Sequence, residues 1–342
     1  MAHSRLQKLG NYLRPHWKPA VLGVVALLIT NGLGAYIPLE IRNGIDQLRD
    51  AFSFNQIIYY VLVVIGLASI MWVVRMLSRI WLFGVGRQVE FDLKQKIFNH
   101  LLTLEPSYFS ENTVGDLITR ATSDVDNIRR LLGFAVLSLA NMVFAYALRL
   151  PVMLAINWKL SLLALAVYPV MLVLVQLFAD RLRLQQLRVQ EELSTMSELI
   201  QEDMSGISLV KIYAQEANER QAFQQLNQQL LDANLDLAKT RNILFPLLRG
   251  LASLSLLVVL WLGGDEISNG SLTVGDFIAL LIYVEQLAFP TALLGFTITA
   301  YQRGEVSIDR IESILTVKPK IQDQEDAIAL PLNQVKGELL AH

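Results

Sequence analysis

The sequence predicts an all-α membrane protein with six transmembrane helices and two long hydrophilic helical hairpins. Three observations carry that prediction. Of 342 residues, 53% are hydrophobic and 18% charged, against roughly 25% charged in an average soluble domain. Four uncharged runs, 19–39, 57–74, 131–148 and 160–179, are 18 to 21 residues long, the length at which a helix begins to cross a bilayer. Two polar excursions, 84–130 and 180–242, separate apolar runs. Connections that long are uncommon unless they are functional.

Composition excludes several functions. A net charge of −2 offers no electrostatic attraction for nucleic acid. With no cysteine there is no disulfide framework or thiol chemistry. The four histidines, His3, His16, His100 and His342, are scattered and never at metal-ligand spacing; each is expected to be exposed or unpaired.

In chain order, residues 1–18 place Leu6, Leu9 and Leu13 at helical spacing among Arg5, Lys8, Arg14 and Lys18. That suits a short helix lying in the membrane interface. Span 1 is 19–39, and 40–56 is a polar connection. Span 2 starts near Ile57 and meets no strong breaker before Pro106, so one helix of roughly 72 Å must project beyond a hydrocarbon core of ~30 Å. The polar turn after it leads into span 3, which ends near Ile156. A three-residue turn, Asn157–Lys159, opens span 4 (160–179), where Pro169 marks a kink. The second excursion is rich in Gln, Glu, Leu and Ala, good helix formers. Span 5 runs from about Ile243 to Leu262 and span 6 from Asp276 to about Tyr301, continuing as polar helix to Leu315. The six-helix unit is thus 19–316, followed by a linker at 317–342. Assigning both termini, both excursions and the inner end of span 2 with Arg75 and Arg79 to one side collects 24 of the 29 Lys and Arg there, which makes that side cytoplasmic.

Each hairpin tip carries candidate contact residues. At the first, Asn112 or Thr113 can cap a short helix with Asp116 in its first turn. Gly115 permits a turn or a close approach. Phe109, Val114, Leu117 and Ile118 form an apolar knob. Arg120 and Asp124 stand four apart and are expected to pair with each other. At the second tip Gly206 breaks the helix. Ile207, Leu209, Val210 and Ile212 are too apolar to be freely solvated and suit a partner surface, with Lys211 and Tyr213 at its rim. Packing against the first hairpin is the alternative. Among charges in the spans, Arg75, Arg79 and Arg149 lie near helix ends and can snorkel. Arg249 and Glu285 lie deeper. With Arg75 they are candidates for cavity-lining or gating groups, the alternative being an ion pair between spans 5 and 6.

Three motifs in order resemble the transmembrane domain of an ABC exporter half-transporter of the multidrug and lipid-flippase type. They are Tyr108-Phe109 with Gly115-Asp116-Leu117, Arg120 and Asp124-Val125; Gly206-Ile207 with Leu209-Val210-Lys211, Tyr213 and Glu216; and Gly270, Leu272-Thr273-Val274-Gly275-Asp276-Phe277, Pro290 and Arg310-Ile311-Glu312 with Ile314-Leu315. The resemblance implies a dimer, often with spans 4 and 5 crossing to the second protomer. It implies a substrate path for a hydrophobic or amphipathic compound between protomers, and hairpin tips seated on nucleotide-binding domains. It also implies a multi-pass protein of the bacterial inner membrane.

The sequence has no G-x-x-x-x-G-K-[ST] phosphate cradle. This chain is therefore expected to hold no cofactor and to hydrolyse no nucleotide, ATP and Mg belonging to a nucleotide-binding domain whose entry Val335–Leu339 resembles. The 317–342 segment then reads as a linker and the truncated start of that domain. Two rival functions remain from sequence. One is a membrane scaffold or sensor whose hairpins bind a partner without transport. The other is an intramembrane enzyme, which would need paired catalytic groups at one depth.

Overall fold

The computed structural model describes residues 9–50 and 53–320. All regular structure among these residues is helical. The first eight residues of the expected interfacial helix, and most of the expected linker, lie outside them.

A helical turn at 9–13 and a 3-10 turn at Arg14–His16 lead into α1 (Trp17–Asp50). α1 is longer than span 1. It continues through most of the stretch expected to be a polar connection, because residues 41–50 hold one glycine and no proline to stop it. α2 (Phe54–Leu101) is an unbroken helix of 48 residues, about 72 Å. The first tip consists of α3 (Pro106–Glu111) and α4 (Val114–Thr119). A π turn (Arg120–Asp124), α5 (Val125–Arg130) and a second π turn (Leu131–Ala135) then climb back into α6 (Val136–Leu165).

Within α6 the chain reverses at Asn157, whose φ of −154° and ψ of 105° are not helical. Asn157 Oδ1 accepts the Leu160 amide at 3.1 Å and so caps the second limb. Ser161 Oγ donates to the Met153 carbonyl at 2.8 Å. Residues eight apart on a straight helix would stand about 12 Å apart, so the limbs lie side by side. Among the described residues, five helical runs are long and apolar enough to cross a membrane; this reversal divides the third of them between spans 3 and 4.

α7 (Val167–Ser205) begins after a break at Ala166. Pro169 thereby falls in its first turn, where the missing N–H is tolerated. The second tip is α8 (Ile207–Ile212). The long helices α9 (Glu216–Ser268) and α10 (Val274–Leu315) complete the chain.

Two apolar cores stack along the bundle. Near the short loops, Met153, Leu160, Tyr168, Val259, Tyr283 and Leu287 join spans 3, 4, 5 and 6. Toward the hairpins, Val89 and Ile97 of α2, Ile128 of α5, Leu131, and Ile308 and Ile311 of α10 form the second. The arms α7 and α9 pack along each other through Met171, Val175, Leu244 and Leu248. The second hairpin does not pack along the first as the alternative reading required; α8 buries none of its residues.

Candidate functional site

The first tip is built by local capping. Thr113 accepts the Asp116 amide and starts α4, while Asn112 closes α3 by donating to the Tyr108 carbonyl at 3.0 Å. Asp116 is thus fixed in the first turn of α4. Val114 (62% exposed) and Ile118 face outward and Phe109 is partly exposed, but Leu117 is 4% exposed and packs inward. The knob is therefore smaller than the sequence implied. Gly115 lies within α4, not at a turn, and its missing side chain would point into open space.

Asp116 binds the far end of the chain. Its Oδ1 accepts Arg310 Nη2 at 2.7 Å, and its Oδ2 meets Arg120 Nη2 at 2.6 Å. Arg120 does not pair with Asp124 as expected. Its other nitrogen donates to Ser313 Oγ at 2.8 Å and to the Arg310 carbonyl at 3.3 Å. Asp124 is buried in the π turn. It accepts Ser307 Oγ at 2.8 Å and lies 3.2 Å from Arg310 Nη1. That second contact is an ion pair without hydrogen-bond alignment, since Asp124 Oδ2 has no aligned donor. Asn127 donates to Ser307 as well. Such π turns recur at functional sites. Here the turn and α4 together present Asp116, Arg120 and Asp124 to one face of α10. The hydrogen bond from Arg120 holds the Asp116 carboxyl below the usual carboxylate range, with Arg310 adding to it.

Two further contacts brace the same end. Glu105 accepts the Lys320 backbone amide at 3.2 Å; the bond from its own amide, and then that from Lys320, lower its pKa. Tyr12 donates to Glu312, and Leu9 and Leu13 pack on the hairpin-side core. The N-terminal turn thus docks on protein. His16 is not unpaired: its Nε2 lies 2.6 Å from Asp92 Oδ2 on α2. His100 is the reverse case, with Nε2 buried and lacking a partner.

The opposite end of α10 is clamped to α1. Asp46 accepts the Gly275 amide at 2.9 Å and Thr273 Oγ1 at 2.8 Å, and Arg42 pairs with Asp276 at 2.7 Å. A Cβ on Gly275 would lie 2.5 Å from the Arg42 carbonyl oxygen, so only glycine fits. The first part of the third motif, Gly270 to Phe277, is therefore a helix start built against α1.

At the second tip Gly206 ends α7 and Ala214 takes a left-handed φ of 49°. The Gln215 amide donates back to Val210 at 2.9 Å, a Schellman closure with alanine where glycine is usual. Lys211 bridges to Glu216 at 2.9 Å. Ile212 (74% exposed), Tyr213 (70%), Leu209 and Ile207 remain open, whereas Val210 is half-buried.

The intramembrane candidates do not converge. Arg75, Arg249 and Glu285 are exposed on α2, α9 and α10, and no ion pair joins Arg249 to Glu285. Sequence reasoning missed Arg149, which does not snorkel but is 6% exposed. It donates to Gln286 Oε1 at 2.7 Å and to Asn31 Oδ1 at 2.9 Å, and Asn31 donates onward to Asn141 at 3.0 Å. Gly34 leaves room for the guanidinium. The available signal was three amides and one glycine inside three spans.

The chain matches the family described as ABC transporter transmembrane region over residues 20–291. It is 26% identical over 322 residues to a probable multidrug resistance ABC transporter ATP-binding/permease protein of Bacillus subtilis, covering 94% of this chain and 55% of that one. An ATP-dependent lipid A-core flippase of Desulfotalea psychrophila is 27% identical over 328 residues, covering 95% and 57%. A multidrug resistance-like ATP-binding protein of Escherichia coli is 24% identical over 337 residues, covering 97% and 56%. The chain spans little more than half the length of these curated relatives. The match over most of its spans, with the six-pass helical fold and the three motifs at helix ends and tips, makes this chain a member of the ABC transporter transmembrane region family.

Proposed function

We propose that this chain is the membrane-spanning part of an ATP-driven exporter. With a second protomer it lines the path of a hydrophobic or amphipathic compound, and it alternates between inward and outward access. The hairpin side faces the cytoplasm, in a bacterial inner membrane. ATP and Mg are bound by nucleotide-binding domains, and this chain supplies no catalytic group to hydrolysis.

One observation carries the reading. An exposed apolar tip at the end of a helix about 72 Å long is ion-paired to the far end of the sixth span through Asp116 and Arg310. Force applied at such a tip reaches α10 directly, and α10 is also clamped to α1 at its other end. Phe109, Val114 and Ile118 seat the first tip in a nucleotide-binding domain; Ile207, Leu209, Lys211 and Tyr213 seat the second. The names of the relatives, multidrug resistance proteins and lipid A-core flippases, support an apolar or lipid-like cargo.

The test uses the absence of cysteine. Single cysteines at Val114 and Ile207 should crosslink to a cysteine-bearing nucleotide-binding domain, with yields that change on adding ATP. A correctly inserted dimer that gives no crosslink at either site would favour the scaffold function.

A further inference from the structure

The arms α7 and α9 part where spans 4 and 5 leave their uncharged segments. Between them lies a cleft of about 300 Å³, lined by Phe178, Arg181 and Gln185 from α7 and Asp236, Lys239, Thr240 and Ile243 from α9. That volume is at the lower end of the ~300–1,000 Å³ typical of small-molecule sites. On the membrane side, Met171, Val175, Leu244 and Leu248 seal the two helices together, with Phe178 packed on them. Phe178 and Ile243 border the apolar segments, and Arg181 and Lys239 come about one turn further out. The lining thus changes from apolar to charged over a single turn, as acyl chains give way to headgroups in a bilayer leaflet.

Two unmet demands sit in this cleft. Gln185 Oε1 is buried and has no hydrogen-bond donor, an arrangement native proteins rarely leave unanswered. Arg181 forms no ion pair among the described residues, and Lys239 has only Asp236 on its own helix at 3.6 Å. Two cations, Arg181 and Lys239, face the single carboxylate Asp236, so the cleft keeps a net positive charge and wants an anion and a donor at once.

We propose that it binds a phosphodiester that also carries a hydrogen-bond donor, as in the glycerol or ethanolamine headgroup of a phospholipid. The phosphate meets Arg181 and Lys239, and the hydroxyl or ammonium donates to Gln185 Oε1. The acyl chains run past Phe178 and Ile243. This site lies apart from the coupling tips, and its test does not depend on their role.

The protein purified in dodecyl maltoside is titrated by native mass spectrometry with phosphatidylglycerol, phosphatidylethanolamine, phosphatidylcholine and water-soluble glycerophosphoglycerol. Phosphatidylglycerol or phosphatidylethanolamine should bind more tightly than phosphatidylcholine, whose headgroup has no donor. Arg181→Gln should weaken binding roughly tenfold, and Arg181→Lys should retain most of it, which separates ligand loss from misfolding. Gln185→Leu should remove the preference over phosphatidylcholine. If glycerophosphoglycerol competes as well as the lipid, the phosphodiester assignment stands and the source is soluble; if it does not compete, the source is the membrane. Equal retention of phosphatidylcholine by the unmodified protein, or affinities unmoved by both Arg181→Gln and Gln185→Leu, would overturn the proposal.

Discussion

Arg310, five residues from the end of α10, reaches Asp116 at the first hairpin tip with a 2.7 Å ion pair across 194 positions of sequence. The same guanidinium lies 3.2 Å from Asp124. One side chain therefore ties the tip and the returning helical limb of the hairpin to the sixth span. Arg310→Gln should release both carboxylates. The Asp116 contact, open to solvent screening, contributes little. The buried Asp124 is the larger loss, on the order of 1–3 kcal/mol for a polar group left short of partners. Hydrogen exchange of residues 114–130 should speed up while α9 is unchanged.

Acid should open the same junction. The folded-state pKa of Asp116 is lowered, chiefly by Arg120, so its contribution is complete above the unfolded value of about 3.9 and disappears as pH falls through the lower folded value. Glu105 shifts in the same direction. Exchange protection at α4 should be flat from pH 7 to 5 and decline only below about pH 4.

How much of this was legible in sequence varied with distance. The 48-residue α2 was readable because nothing in it breaks a helix, and the α4 cap because Thr113 and Asp116 are three residues apart. Arg120 was misassigned for a physical reason. Spacing offered it two carboxylates, Asp116 and Asp124, and only the fold brings Ser307 and Arg310 to claim the second. Arg149 was misread because helix-end position suggests snorkelling, whereas burial is set by Asn31 and Gln286 on other helices. The outward-facing side of Leu117 failed similarly, since exposure is a tertiary property.

Gly275→Ala should strike the other end of α10. The added Cβ would meet the Arg42 carbonyl oxygen and the Asp46 carboxylate that caps the helix. Overpacking of this kind costs about 1–3 kcal/mol. The melting temperature in detergent should drop, with Gly115→Ala, which faces open space, as the unchanged control.

Arg149→Leu should destabilise the junction of spans 1, 3 and 6. It removes the donor from Gln286 and from Asn31, each acceptor left unmet being worth on the order of 1–3 kcal/mol. The triple variant Arg149→Leu, Asn31→Leu, Gln286→Leu should recover part of the loss, because it removes the stranded acceptors too. Thermal unfolding of the parent, the single variant and the triple variant measures both effects.

The central claim is that the first tip and the end of the sixth span move as one body. Pairs of spin labels at Val114 and Ser313, and at Val114 and Ile207, in this cysteine-free chain would measure it by double electron–electron resonance, in the assembly with its nucleotide-binding domains. On adding ATP, the 114–313 distance should stay constant while the 114–207 distance changes. A 114–313 distance that shifts as much as the 114–207 distance would contradict the account.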